Sequence, residues 1–419
     1  MRILILSQWF TPEPILKGLV FAKALAERGH QVEVLTGFPN YPGGVVYRGY
    51  RLRLFQRENM EGIAVIRTIL YPSHNTNQIG RIANYISFAL SAPLAGLFLA
   101  KKADVMYVYH PPATIAFAAI IMKFFRRIPF VYDIQDLWPD TLAATGMIRN
   151  RMALGAVDYW CRVAYHRASK IVVLSPGFKQ VLIGRGVAAE KIEVIYNWCE
   201  EDKITRTERN EDLARNLGMS GRFNVVFAGT MGKAQDLDTV LAAAAILKTL
   251  VPHAQIVLIG GGIEVERLKM VAGDKRLTNV LFLPRRPVNE IGEILNLADV
   301  LLVHLRKDPL FRITIPSKVQ AYLAVGKPIL VGVEGDATSL VLRAGAGLAY
   351  DPAHPENLAE AVRKMAGMSL SALAQMGERG RQFYKNELSI TKGVDKFEQV
   401  FSEVAKDNGL NSRKPAIRE

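Results

Sequence analysis

The chain has 419 residues, half of them apolar and 22% charged, which excludes a disordered or fibrous protein and implies two domains rather than one core. Cys161 and Cys199 are its only cysteines, so it has no disulfide framework, and a reducing compartment fits. The formal net charge of +14 is uneven: residues 1–198 carry 23 Lys and Arg against 12 Asp and Glu, and the remainder 30 against 27.

Residues 2–7 are a short apolar run, as a buried parallel strand requires. The run is too brief for a secretory signal and soon meets Pro12 and Pro14, so no export is expected. Residues 19–27 place apolar side chains at helical spacing and stop at Arg28-Gly29-His30, where glycine suits a helix end. Residues 32–36 resume a strand. Further short apolar runs follow at 105–109, 130–134, 171–174 and 192–196, with helical stretches between them. Such alternation implies a parallel sheet covered on both faces. Residues 85–100 form a 16-residue uncharged run followed by Lys101 and Lys102, shorter than the roughly 20 residues a spanning helix needs. Two readings remain open, a buried domain helix or a helix lying in the bilayer interface.

The pattern restarts after the polar stretch 200–216. Residues 223–228 read as a strand, 229–233 as a turn, 237–250 as a helix and 255–259 as a strand ending in Gly260-Gly261-Gly262. Later strands are expected at 280–283, 300–304 and 328–333. The fold class is α/β, with two Rossmann-like doubly wound domains, 1–198 and 199–384, and ligands expected at the strand ends in the cleft between them.

Three places could hold a diphosphate. Gly229-Thr230-Met231-Gly232-Lys233 follows a strand, so backbone amides and the Lys233 ammonium could face phosphate, although an ordinary strand-to-helix turn has the same form. Gly260 and Gly261 permit close ligand approach or simply make a turn. Ser317 is placed to cap the next helix, with Lys318 in its first turn. A lysine there opposes the helix dipole unless an anion is bound. In the first half, Asp133, Gln135 and Asp136 leave a strand end, where carboxylates can orient or deprotonate a hydroxyl or merely satisfy loop amides. His110 ends another strand and is either structural or site-facing. Trp9 and the 38–44 loop with Tyr41 suit sugar or lipid contact, or packing. No His-Glu-x-x-His or Cys-x-x-Cys spacing occurs, so no metal is expected. The basic first half implies an anionic partner. Nucleic acid is disfavoured because no recognised motif or stacking platform appears, which leaves an anionic membrane surface or scattered solubilising charge.

On these motifs the chain resembles glycosyltransferase family 4, with the GT-B fold. The segments that carry the likeness are Gln8 to Pro14 with Lys17-Gly18, Ala22 to His30, Ser175-Pro176-Gly177, Gly186 to Asn197, Asn279 to Leu283, Ala298-Asp299-Val300 and Gly326-Lys327-Pro328. Within the family it is most similar to the WbuB-type branch of O-antigen and capsule enzymes, through 37–44, 133–139, 229–235 and 316–318. The resemblance implies a retaining, metal-independent transferase without a cofactor, moving N-acetyl-L-fucosamine from a UDP donor to a lipid-diphosphate-linked saccharide. It would act in the cytoplasm, at the inner face of the membrane.

The implied donor ligands are Gly18, Gly229, Thr230, Lys233, Gly260, Gly261, Ser317, Lys318, Gln320 and Tyr322. The implied acceptor ligands are Trp9, Lys17, Tyr41 and Gln135, and the catalytic groups His110, Asp133, Asp136 and Lys318. A crossover helix at about 385–405 returns to the first domain, and 406–419 is a polar tail. The family's glutamate pair falls here on Ile313 and Ala321, its Arg and Lys on Thr230 and Gln235, and its histidine on Gln135. A UDP-sugar 2-epimerase of the same fold and a non-catalytic sugar-nucleotide or lipid-binding subunit are the alternative functions.

Overall fold

The computed structural model describes residues 1–73 and 78–411, which form two compact units, Met1–Ile195 with the chain from Gly393 onward, and Tyr196–Lys392. In the first unit an eight-stranded sheet is built from β1 (Arg2–Leu6), β2 (Gln31–Gly37), β3 (Phe55–Met60), β4 (Ile63–Thr68), β5 (Val105–His110), β6 (Phe130–Ile134), β7 (Lys170–Val173) and β8 (Ile192–Val194). Its order is β3-β4-β2-β1-β5-β6-β7-β8, parallel except for the β3–β4 hairpin. Ile3 to Leu6, Val105 to Val108 and Phe130 to Ile134 are all buried, which is why these strands read as unbroken apolar runs. The chain leaves β1 in one direction and returns at β5, so the strand order reverses between these two strands, the crevice where doubly wound sheets bind ligands.

The second unit repeats the arrangement with six parallel strands, β9 (Phe223–Thr230), β10 (Ala254–Gly261), β11 (Val280–Pro284), β12 (Val300–His304), β13 (Ile329–Gly332) and β14 (Gly347–Ala349). Their order is β11-β10-β9-β12-β13-β14, and the reversal falls between β9 and β12. One face of this sheet packs Val225, Phe227, Ile256, Leu258 and Leu302 against helix residues Val240, Leu247 and Val362.

The expected helix at 85–100 is longer than its apolar run and starts earlier, spanning Gln78–Phe98 with Pro93 inside it. The helix Ile390–Asn411 also runs past the expected start of the polar tail at 406, and residues 412–419 lie outside the described part. In the first unit its Phe397 and Phe401 pack on Tyr107 at ring distances of 5.5 and 6.2 Å, and Phe397 also meets Phe21 at 5.2 Å.

The glycines at the end of β10 are explained by backbone crowding. Gly260 has φ +146°, and a Cβ there would stand 1.9 Å from the Gly229 carbonyl oxygen. Both the φ value and the approach require glycine. Gly260→Ala is expected to destabilise the second unit by more than about 2 kcal/mol, because the strand ends must separate. Urea unfolding of the purified variant checks this, and an unchanged midpoint would contradict it.

Candidate functional site

In the second unit the site forms where β9 and β12 diverge. Lys318 lies in the first turn of the helix Ser317–Val325 and extends back toward the end of β9. Its Nζ sits 3.5 Å from the centre of the Phe227 ring, and a Cβ on Gly229 would be 3.1 Å from it. Gly229 has φ +142°, so its glycine identity opens the space the ammonium occupies. The nitrogen is buried and has no hydrogen-bond partner among the described residues. Burial alone lowers its pKa from the ordinary lysine range to about 7.

The rest of the predicted donor cluster divides into exposed and structural residues. Gly229, Thr230, Lys233 and Ser317 are exposed at this strand end. Ser317 does not cap its helix as expected: Pro316 holds the extended flanking position and Ser317 is already the first helical residue. Two amides of the 229–233 turn are engaged within the unit. Met231 N–H donates to Gly261 O at 2.8 Å, and Gly232 N–H donates to the Gln235 side chain at 3.0 Å.

Tyr322 is fully buried, and its hydroxyl accepts from Ala228 N–H at 2.9 Å, which fixes the end of β9. The Gln320 amide, oriented to satisfy its surroundings, donates to Pro316 O and Ser317 O at 3.0 Å each. Both side chains turn into the unit, so neither replaces the missing ribose-holding glutamate in this structure. Gly260 serves the backbone approach described above, whereas a Cβ on Gly261 would meet Arg285 Cβ at an ordinary 3.9 Å.

Sequence reasoning missed His304, the last residue of β12. It is buried, its ring stacks on Tyr350 at 5.8 Å, and its Nδ1 lies 2.6 Å from the Tyr350 hydroxyl. Burial holds its pKa down at about 4, so the imidazole is neutral. The available signal was its position at a strand end beside the order reversal.

In the first unit the loops after β1, β2, β5 and β6 converge. Asp133 is fully buried and held by three side chains: Oδ2 accepts from Lys17 Nζ at 2.7 Å and from Tyr107 Oη at 2.5 Å, and Oδ1 accepts from Gln135 Nε2 at 2.6 Å. Lys17 is also fully buried. The structure therefore corrects two readings. Lys17 is the counter-ion of Asp133 rather than an acceptor ligand, and Asp133, fully buried against that cation, is a positioning residue rather than a base facing a substrate. Gly18 is buried where a Cβ would press on Ile15 and Thr11, both at 2.9 Å, so packing accounts for it.

Asp136 is less enclosed. It accepts from the Thr141 hydroxyl at 2.6 Å, and burial raises its pKa. His110 is buried between the Tyr132 and Trp138 rings, each 5.6 Å away. Its Nδ1 has no partner among the described residues, and burial lowers its pKa to about 3, so it serves as a neutral hydrogen-bonding group. Trp9 stacks on Tyr41 at 4.6 Å and meets the edge of Tyr85 at 6.3 Å, and Tyr85 in turn lies 6.2 Å from Trp138. These rings and His110 make one aromatic wall at the strand ends.

Two residues that the sequence did not reveal hold the wall's loops. The Glu13 carboxylate accepts from the N–H groups of Phe10, Asn40 and Tyr41 at 2.8–2.9 Å, and burial raises its pKa to about 7 against the pull of those bonds. The buried guanidinium of Arg67 pairs with Glu58 at 2.6 Å and donates to Gly37 O and Thr11 O at 3.0 and 2.6 Å. The β3–β4 hairpin thus braces the loops after both β1 and β2.

Two doubly wound units whose polar and aromatic groups gather at the strand ends define the GT-B class of glycosyltransferases. HepE from Anabaena, solved in complex with UDP, matches with a TM-score of 0.71 at 17% identity, covering 96% of this chain and 100% of its own. Sucrose-phosphate synthase from Thermosynechococcus elongatus also matches at 0.71, with 14% identity over 97% and 99% of the two chains. These likenesses establish the fold.

The chain belongs to the glycosyltransferases: a glycosyl transferase 4-like domain matches residues 19–198 and a glycosyl transferases group 1 domain matches 208–383. WcaI of Escherichia coli K12, which carries the name of a colanic acid biosynthesis glycosyl transferase, is 27% identical over 351 residues, 80% of this chain and 84% of its own. WbjE of Pseudomonas aeruginosa, also named as a glycosyltransferase, is 23% identical over 330 residues, 77% and 81% of the two chains.

The Lys17–Asp133 pair supports a stability prediction. Lys17→Met leaves a buried carboxylate without its cation and is expected to cost about 3–5 kcal/mol. Adding Asp133→Asn should recover part of that loss. Chemical unfolding of the two single variants and the double variant measures the coupling, and a single-variant loss below about 1 kcal/mol would contradict the assignment.

Proposed function

We propose that the chain is a retaining, metal-independent transferase that moves a sugar from a UDP donor to a lipid-diphosphate-linked saccharide at an anionic membrane surface, in bacterial surface polysaccharide synthesis. N-acetyl-L-fucosamine is the sugar that the branch motifs favour. The observation that carries the reading is the buried ammonium of Lys318, with no counter-ion among the described residues, beside the exposed Gly229. An isolated buried cation is costly and becomes favourable when an anion fills the space next to it. The solved relative HepE with UDP and the polysaccharide-related name of WcaI support a nucleotide donor and a polysaccharide setting.

In the proposed reaction the bond from the anomeric carbon to the UDP β-phosphate oxygen breaks as the acceptor hydroxyl oxygen bonds to that carbon on the same face. The hydroxyl proton passes to the departing phosphate. Lys318 stabilises the charge gathering on that phosphate, the largest contribution assigned to the protein. Lys233 and Thr230 present an exposed cation and hydroxyl at the same strand end. In the first unit, Asp136, neutral His110 and the Trp9–Tyr41 stack offer hydrogen bonds and an aromatic face to the acceptor saccharide.

The test is incubation with UDP-N-acetyl-L-fucosamine and a synthetic lipid-diphosphate N-acetylglucosamine, following UDP release and product mass. The expected result is acceptor-dependent release and a product heavier by one sugar. Release without acceptor, or none across a panel of UDP-sugars, would overturn the reading. Lys318→Met is expected to lower kcat by about 100- to 1,000-fold while leaving the melting temperature unchanged or higher, because it removes an unpaired buried charge. Wild-type turnover in that variant would remove Lys318 from the reaction.

A further inference from the structure

The helix Gln78–Phe98 lacks the polar outer face of an ordinary surface helix. Its buried face is apolar apart from Asn84, with Tyr85, Phe88, Ala89, Ala92 and Ala95, yet every exposed position after Gln78 is apolar as well: Ile79, Ile82, Ile86, Leu90, Leu94 and Phe98. An ordinary surface helix places charge on that side. The exposed side chains recur at three- and four-residue steps, so they form one stripe about 29 Å long at 1.5 Å per residue. Their exposure is large, from 48% at Ile82 to 82% at Phe98. The stripe widens on the neighbouring helix Ile115–Arg126, where Phe124 and Phe125 are 75% and 65% exposed. The two helices are joined at this end, with Arg126 donating to Gly96 O and Ala100 O at 2.5 and 2.7 Å. A continuous exposed apolar surface of this kind marks an interaction site.

Charge identifies the partner. Between residues 34 and 132 the chain carries eleven Lys and Arg against three acids, Glu58, Glu61 and Asp104. Arg57, which donates to Leu99 O at 2.6 Å, and the exposed Lys101 and Lys102 stand at the end of the stripe. Arg51 and Arg53 are exposed beside Leu52 and Leu54, and the Leu54 carbonyl accepts from Ile69 N–H, whose own carbonyl accepts from Ser91 on the helix. Apolar side chains edged by cations, with the acids nearly excluded, complement an anionic lipid surface. No described helix is long and apolar enough to cross a membrane, so the contact is with the surface of the bilayer.

The geometry points to the exposed face of the Gln78–Phe98 helix, with Phe124 and Phe125, as a docking face that lies shallowly in an anionic bilayer while the helix's other face builds the acceptor wall. This deepens the acceptor reading above and rests on it for the second clause. Asn84 accepts from Gln8 at 2.6 Å and donates to Asn40 and to Tyr71 O at 3.1 and 2.7 Å, and Tyr85 meets Trp9 and Trp138. One helix thus connects the membrane contact to the loops assigned to the lipid-linked saccharide, presenting them at the depth where such a headgroup sits.

The experiment is flotation of the full chain with vesicles of phosphatidylethanolamine and phosphatidylglycerol, against phosphatidylcholine vesicles, with no substrate present. The wild type should float with the anionic vesicles. The triple variant Ile86→Ser, Leu90→Ser, Leu94→Ser should lose about 100-fold in partitioning. Lys101→Ala with Lys102→Ala should lose roughly 25-fold, an effect that disappears at high salt. All five residues named are exposed or edge the stripe, so the variants should keep the wild-type melting temperature. An environment-sensitive dye on Phe98→Cys should brighten on anionic vesicles.

Absence of flotation by the wild type, or unchanged flotation by the triple variant, would overturn the docking face. A wild-type dimer that the triple variant converts to monomer in light scattering, without vesicle binding, would also overturn it and assign the stripe to a second copy of this chain. The test separates from that of the transferase reading. With a short-chain, water-soluble acceptor the triple variant should turn over at the wild-type rate, and it should slow only when the acceptor is embedded in vesicles.

Discussion

A lysine ammonium buried without a counter-ion among the described residues is the constraint on which the second unit's proposed donor site depends. Removing Lys318 Nζ from water costs several kcal/mol, and the ring face of Phe227 offsets only a part of that. The surrounding sequence serves this placement. Gly229 leaves out the side chain that would crowd the nitrogen, Tyr322 fixes the strand end through Ala228, and Pro316 starts the helix one residue earlier so that Lys318 lies in its first turn. The helix start and the ammonium act in the same direction on an anion. In the proposed reading this charge awaits a diphosphate, while the loop's Met231 and Gly232 amides are engaged within the unit.

The first unit solves the opposite problem, holding long polar loops still. It buries charges in compensated form: Lys17 against Asp133, Arg67 against Glu58, and Glu13 against three backbone amides. Lys17–Asp133, Glu13 with Asn40 and Tyr41, and Arg67 with Thr11 and Gly37 each join segments remote in sequence, so the aromatic wall of Trp9, Tyr41, Tyr85 and Trp138 rests on a braced frame. Aromatic side chains with a neutral imidazole among them suit sugar rings, which offer apolar faces and hydroxyl edges.

How far the sequence was legible follows from which signals are local. The central strands β1, β5, β6, β9 and β12 were readable because both faces are buried and the runs are continuously apolar. The β3–β4 hairpin was not, because β3 reads Phe55-Gln-Arg-Glu-Asn-Met60 and has no buried residue to make a pattern. Strand β14 was missed because three residues carry no periodicity. In the site, Lys318 was legible through a local conflict, a cation at a helix start. The roles of Asp133 and Lys17 were not, because their pairing spans 116 residues and only the fold brings them together. The same reason hid Glu13 and Arg67. The stripe on the Gln78–Phe98 helix was half legible: the uncharged run was visible, but which of its residues face outward required the packing.

The central claim is that Lys318 is a preformed counter-charge for the donor's diphosphate, and proton linkage tests it most directly. With a free-state pKa of about 7, the amine must be protonated to pair with UDP, and the bound anion raises its pKa. Calorimetric titration of UDP should therefore show tight binding below pH 7 and an affinity falling about tenfold per pH unit above it, with uptake of close to one proton per UDP. Lys318→Met should abolish both the slope and the uptake. Proton uptake that survives in the Lys318→Met protein, or UDP affinity independent of pH between 6.5 and 8.5 in the wild type, would contradict the account.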